Sequence, residues 1–472
     1  MFEKLKEIFK KKNSNTQNHI QNDNNLVLEI EEYSIYEKEL NKLKSEVEYF
    51  KKNHNFEFYK PNVGVFGVNS AGKSTFLNAL LGEKKFKMGL SETTSEITRL
   101  YNSDKIYEIP NVKDEKAHFE NLKYFNLFDI PGFGKYFDEK ILKEVLAYLD
   151  IVFWIVDISK GITKEDKNFL NSIKNLDTQI MIIANKIDVV TEDELGGGYQ
   201  AVENEIKKIK EFFKKEKLSD NLIGIIPLSA KKALNGKLKS KNQEYVLLVE
   251  YVEYLLIYSA FIESFKGIVR AILNYLNSDE FINHLSSLLP TYEIVENLSS
   301  SLYFDIYDNT SFLDSIFGSK ADIAKPIVNR YSNQLKSYLI DRSKAMANDL
   351  KGLVTEITEL MYVYNKFVSS NPLKFNFQLH TFDPDVYISV YSISANCFFG
   401  DSFADEIRVE FHNESLKVVE RFINEIIDNT DRELDFMRDT IFNSGLDFSK
   451  HLKKSLENKL ALQQYLTKEL FK

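Results

Sequence analysis

The sequence predicts an α/β fold: a doubly wound, mostly parallel sheet, flanked by a long α-helical bundle built from N- and C-terminal segments. Three observations carry this. Residues 67–74 read Gly-Val-Asn-Ser-Ala-Gly-Lys-Ser, between a short apolar run and a helical one. From 62 to 240, short apolar runs alternate with amphipathic segments, the pattern of a parallel sheet covered on both faces. On either side of that region, apolar residues recur at three- and four-residue steps, the seam of helices that pack on helices.

Composition narrows the class. A chain of 472 residues has room for several domains and a large core. One cysteine, Cys397, excludes an internal disulfide framework. A net charge of -9 argues against a dedicated nucleic-acid binder. No uncharged apolar run reaches about 18 residues, so no transmembrane helix is expected. Val246–Tyr258, interrupted by Glu250 and Glu253, reads as a buried core helix.

The elements follow in order. Residues 1–25 are a basic amphipathic terminus and a polar linker. Met1–Lys12 carries five lysines and two glutamates, with Phe2, Leu5, Ile8 and Phe9 on one helical face. Two readings stay open there, a helix on an anionic membrane surface and a solvated terminus. Residues 26–57 form a helix with the seam Tyr33, Tyr36, Leu40, Leu43, Val47 and Phe50, expected to join the C-terminal bundle. Residues 58–243 are the nucleotide domain. Its expected strands are Val63–Phe66, Tyr124–Phe128, Ile151–Val156, Ile180–Ala184 and Ile223–Pro227, with helices near Lys140–Leu149, Lys164–Ile173 and Ala201–Lys217. Residues 244–472 are a helical stalk, interrupted by an expected β-hairpin near 375–393. There Phe375, Phe377 and Leu379 alternate with polar residues, Asp383-Pro384-Asp385 turns, and Val386, Ile388 and Val390 alternate again. Capping the bundle and touching a membrane or another subunit are both open to such a hairpin.

The chemistry lies in the loops after the strands. In the phosphate loop, backbone N–H groups from Gly67 to Thr75, including those of Asn69, Ser70, Ala71 and Gly72, close around phosphate oxygens at a helix N-terminus. Lys73 is placed to reach the β- and γ-phosphates and Ser74 to ligate Mg²⁺. Asp129-Ile130-Pro131-Gly132 follows a strand; its aspartate suits Mg²⁺ and its Gly132 N–H the γ-phosphate. Asn185-Lys186-Ile187-Asp188 fixes the base. A carboxylate at Asp188 accepts from guanine N1–H and the exocyclic amine, whereas adenine has no such donor pair and leaves the carboxylate unpaired. Asn185 braces the site, the Lys186 stem covers the base, and Ser229-Ala230-Lys231 offers an N–H to the guanine oxygen. Between loop and strand, Ser91–Thr98 reads as a switch whose threonine completes Mg²⁺ coordination when the γ-phosphate is present.

The ordered set at 67–74, 93–94, 129–132, 185–188 and 229–231 resembles the translation-factor-related GTPases. The Ser-Ala before Gly-Lys-Ser, the paired Thr93-Thr94 and the helical segments on both sides resemble the dynamin superfamily, particularly the bacterial dynamin-like proteins. The resemblance is specific over about 60–235 and architectural beyond. Glu92 stands where many relatives have proline, and the stalk is short for a full dynamin. Phe133 occupies the position of the water-orienting glutamine of Ras-type GTPases and cannot take that role. The resemblance therefore implies catalysis through Ser70, Lys73 and Thr94, with Thr93 the near alternative. Ser70 would hold a monovalent cation or donate to the bridging oxygen. Ser74, Thr94 and Asp129 would hold Mg²⁺.

The expected function is GTP hydrolysis in which GTPase domains dimerise, as a homodimer or with a related partner, and move the stalk at a membrane. The expected location is cytoplasmic, peripheral to the inner face of the membrane, with GTP and GDP as ligands and no nucleic acid. The alternative is a nucleotide-switched GTPase that binds a ribosome or effector and hydrolyses slowly.

Overall fold

The computed structural model describes residues 23–86, 96–103, 106–131, 139–173, 178–191, 198–240, 242–311, 319–367, 384–396 and 400–471. Two units are resolved by their internal contacts, Met1–Gly267 with Ser449–Lys472, and Ile268–Phe448.

The apolar runs of the first unit form the centre of its sheet. The strands are β1 (Asn62–Gly67), β2 (Ile97–Tyr101), β3 (Val112–Lys116), β4 (Asn126–Asp129), β5 (Ile151–Asp157), β6 (Gln179–Asn185) and β7 (Leu222–Leu228). They lie in the order β3-β2-β4-β1-β5-β6-β7. All neighbours are parallel except β2 and β4. Every residue of β1 and β5 is buried, as continuous apolar strands must be when both faces are covered. β1 pairs with β4 on one side and with β5 on the other, and the crevice of such a sheet lies at the carboxyl ends of these strands.

The helices around this sheet are α2 (Lys73–Leu81), α3 (Glu139–Leu146), α4 (Lys164–Ile173), α5 (Ile187–Thr191), α6 (Tyr199–Lys215) and α7 (Ala230–Lys239). Before them runs α1 (Asp23–Asn53), which starts earlier than residue 26, and after them α8 (Gln243–Leu276). The α1 seam is closed by partners from far along the chain. Phe50 stacks on Phe261 at 3.8 Å between ring centroids, and Tyr36 meets Tyr251 edge-on at 5.7 Å. Lys459, from the C-terminal stretch, pairs with Glu46 at 2.9 Å, and Tyr251 Oη donates to its carbonyl. The same stretch covers the β7 edge, where Gln464 donates to the Ile225 carbonyl. The packing at that edge is close: a Cβ on Gly224 would lie 2.7 Å from Leu460 Cδ1, so the leucine would have to shift. By length and composition α8 is apolar enough to cross a membrane, yet 78% of its apolar window is buried inside the protein.

The second unit is helical: the remainder of α8, α9 (Asp279–Leu288), α10 (Glu293–Ser311), α11 (Lys320–Leu360), α12 (Tyr362–Phe367), α13 (Val390–Asn396) and the first part of α14 (Gly400–Leu470). Leu302, Ile306, Val328, Phe403, Ile407 and Phe411 belong to one apolar cluster.

Three differences from the sequence expectations stand out. Residues 384–389 form no strand and lead into α13, with Val386 and Ile388 packed against that cluster. Alternation alone does not make a strand; here the apolar side chains pack on a helical cluster. The expected first strand, with Phe375, Phe377 and Leu379, lies outside the described residues. Strands β2 and β3 were not expected. β2 buries a charged residue, Arg99, and β3 (Val-Lys-Asp-Glu-Lys) is nearly all exposed. The strand expected at Tyr124–Phe128 starts at Asn126, after a 3₁₀ turn over Glu120–Lys123.

Candidate nucleotide site

Strand β1 ends at Gly67, and the chain turns through Ser70 at φ 69° and Gly72 at φ 97° before entering α2 at Lys73. Both residues lie in the left-handed region, which turns the loop sharply enough to aim its N–H groups inward. Ala71 N–H donates to the Val68 carbonyl at 3.0 Å, closing the turn. Asn69 and Ser70 are exposed at the mouth, and Ser74 and Thr75 are half-buried in the first turn of α2.

An acidic strand end lies beside this loop. Asp129 closes β4 and forms a buried ion pair with Lys73. The pair brings together the two groups expected at the phosphates and at the metal. Ser74 and Asp129 are hard oxygen donors of the kind Mg²⁺ takes, so the residues present fit that ion.

Asn185 ties the motifs into one site. Its Nδ2 donates to the Ala71 carbonyl at 2.8 Å, and its Oδ1 accepts from Ala230 N–H at 2.9 Å. One buried side chain thus holds the phosphate loop and the loop after β7 in register. Ser229 is fully buried, and its hydroxyl caps α7 by accepting from Lys232 N–H. Lys231 is exposed in the next turn. Asp188, in the first turn of α5, has its Oδ1 buried with no hydrogen-bond partner. A buried carboxylate oxygen without a donor is costly, and a guanine edge supplies the missing donors. The residues present therefore fit a guanine nucleotide.

The structure thus brings together Gly67, Asn69, Ser70, Ala71, Gly72, Lys73, Ser74, Thr75, Asp129, Asn185, Lys186, Asp188, Ser229, Ala230 and Lys231. Thr93, Thr94, Gly132 and Phe133 lie outside the described residues. Sequence reasoning missed Asp157, the last residue of β5, whose Oδ2 takes the Lys186 ammonium at 2.6 Å. Burial pushes the Asp157 carboxyl up, and hydrogen bonds from Lys186 and Ser159 more than offset that, leaving it below the ordinary aspartate value. The available signal was an acidic residue ending an apolar strand shortly before the Asn185 motif.

Fold and site together define a P-loop GTPase domain, here with helical segments before and after it. Residues 59–291 match the family model described as the Elongation factor Tu GTP binding domain. Among curated relatives, an uncharacterized protein in the xynA 3′ region of Caldicellulosiruptor is 26% identical over 64% of this chain and 80% of its own length. GTPase Era of Borrelia garinii is 25% identical over 54% of this chain and 74% of its own. A probable transmembrane GTPase, FZO-like, of Arabidopsis thaliana is 27% identical over 38% of this chain, and the chain spans only 20% of that protein. Similarity also extends to a solved structure of an oligomerised bacterial dynamin pair, 16% identical with a TM-score of 0.32, over 98% of this chain and 85% of that one.

Proposed function

We propose that the protein binds and hydrolyses GTP, and that dimerisation of its nucleotide domains drives movement of the helical segments at a membrane. The observation that carries the nucleotide assignment is Asp188 Oδ1, buried and unpartnered on a loop that Asn185 ties to the phosphate cradle. Lys73 leaves Asp129 for the β- and γ-phosphates when nucleotide enters. Ser74, Asp129 and the switch threonine, Thr94 or Thr93, hold Mg²⁺, which when bound draws charge from the phosphate oxygens. Ser70, exposed at the loop mouth in a left-handed conformation, is free to compensate charge when a second domain closes the site, with or without a monovalent cation. What supports the dynamin-like reading is the layout, with α1 and the C-terminal stretch packed on α8 beside the nucleotide domain.

Turnover per molecule should rise with protein concentration and with added liposomes. Flat activity under both conditions would sink the dimerisation and membrane parts. The second reading, a nucleotide-switched GTPase that binds a ribosome or effector, is favoured by the similarity to GTPase Era. Co-sedimentation with ribosomes and not with lipid would select it.

A further inference from the structure

We infer that Asp157 is a positioning residue of the guanine subsite, fixing the Lys186 ammonium so that the lysine stem flanks the place Asp188 marks for the base. This rests on the guanine-site reading above.

Two features beyond the ion pair point to it. The first is backbone. Lys186 sits at φ 68°, a left-handed conformation that residues with a Cβ seldom adopt, so something must hold it. Register explains what does. β5 and β6 pair in parallel with Asp157 opposite Asn185, and Ile158 N–H donates to the Asn185 carbonyl at 3.0 Å. Asp157 is thus locked beside the residue that precedes Lys186.

The second is the saturation of the carboxylate. The Asp157 side chain is only 4% exposed. Its Oδ1 accepts from Ser159 N–H at 3.2 Å and from the Ser159 hydroxyl at 2.6 Å. Its Oδ2 accepts from Lys186 Nζ at 2.6 Å. Lys160, 58% exposed, approaches the same oxygen only to 3.8 Å. Closing the turn after β5 needs none of the Oδ2 contacts, because Lys160 and Gly161 N–H already bond the Asp157 carbonyl. The second oxygen is left for Lys186. A nearly buried carboxylate with one hydrogen-bonded cation gives a short, directional contact, and that direction sets where the four-carbon stem runs.

The test is equilibrium binding of a fluorescent GDP and of GTP to the full chain, for wild type, Asp157→Asn, Lys186→Met and the double variant. Asp157→Asn keeps the shape and the acceptor for Ser159 and removes the charge. It should weaken GDP and GTP alike by about tenfold, one charge-assisted hydrogen bond, with the GDP-to-GTP ratio unchanged because phosphate contacts are untouched. The double variant should bind no worse than the weaker single variant, since both act through one contact. A purely structural role for Asp157 predicts additive losses, and additivity overturns the inference. So does Asp157→Asn binding within twofold of wild type. Should Asp157→Asn not fold, Lys186→Met probes the same contact from the other end, and full affinity in that variant overturns it equally. Wild type failing to bind either nucleotide would overturn the guanine-site reading and this inference together; wild type binding tightly while the variants match it would overturn the inference alone.

Discussion

Replacing Gly72 by alanine should weaken nucleotide binding at least about a hundredfold while leaving the sheet folded. Gly72 sits at φ 97°, where a side chain costs about 1–2 kcal/mol. The new methyl would also overlap the Asn185 amide nitrogen. Asn185 must then swing away from the Ala71 carbonyl, 2.8 Å from its Nδ2, and its grip on Ala230 N–H at 2.9 Å goes with it. Each buried group left unpaired costs about 1–3 kcal/mol. The sum, about 3 kcal/mol or more, corresponds to at least about a hundredfold in affinity if it falls on the binding-competent loop. Gly82→Ala is the control. Gly82 has φ 73°, and its nearest neighbour to a new Cβ is Lys237 Cδ at 3.8 Å. It shares the backbone penalty without the collision, so it should lower stability by about 1 kcal/mol and leave affinity intact. Calorimetric titration with GDP, alongside thermal melting, reads both quantities. Gly72→Ala binding within tenfold of wild type, or Gly82→Ala losing affinity as strongly, would show that the Asn185 contact does not hold the loop.

Further outcomes follow from the same geometry. Asp188→Ala removes an oxygen that has no donor in the nucleotide-free protein, so the melting temperature should hold or rise while preference for GTP over ATP disappears; a large fall in melting temperature would contradict this. Lys73→Ala should abolish GTP binding and also destabilise the protein by about 3–5 kcal/mol, because Asp129 stays buried and unpaired. Adding Asp129→Asn should restore stability but not binding, and a double variant that binds GTP would contradict the site. His54 is buried against Phe56 and Phe261, donor or acceptor to Ser264 at 2.8 Å, and burial pulls it down to about 3. The unfolded chain therefore binds the extra proton between its ordinary value near 6.5 and the folded value. Stability should fall as pH drops below about 6.5, by up to about 1.4 kcal/mol per pH unit from this group. His54→Leu should flatten that slope in denaturant titrations at several pH values; an unchanged slope would remove His54 as the cause.

Much of the nucleotide domain was legible because its central strands are apolar on both faces and its motifs sit at their ends. β1, β5, β6 and β7 each begin or end within a residue of the expected runs. β2 escaped notice because its middle residue is Arg99, fully buried and bridged to Asp114 of β3 through Nε and Nη2 at 2.6 and 2.9 Å. A charge in a buried strand is invisible to hydrophobic patterning, since its partner lies on a strand that itself carries no apolar signal. β3 is an exposed edge strand whose existence depends on the backbone ladder to β2. The hairpin was over-read for the opposite reason. Val386, Ile388 and Val390 alternate, but their apolar surface is satisfied by helices of the second unit rather than by a neighbouring strand. Within the site, order and spacing pointed to the motif residues. Asp157 was not, because its role depends on a parallel register that places it opposite Asn185.

The central claim is that Asp188 and the phosphate loop form one guanine-nucleotide site. Titrating the full chain, with Mg²⁺, with GDP, GTP and ATP in competition tests it most directly. Both guanine nucleotides should bind, and ATP should fail to displace them at about a hundredfold excess, as expected when a base lacks the donors for a buried carboxylate oxygen. ATP displacing GDP at comparable concentration, or no binding by any of the three, would contradict it.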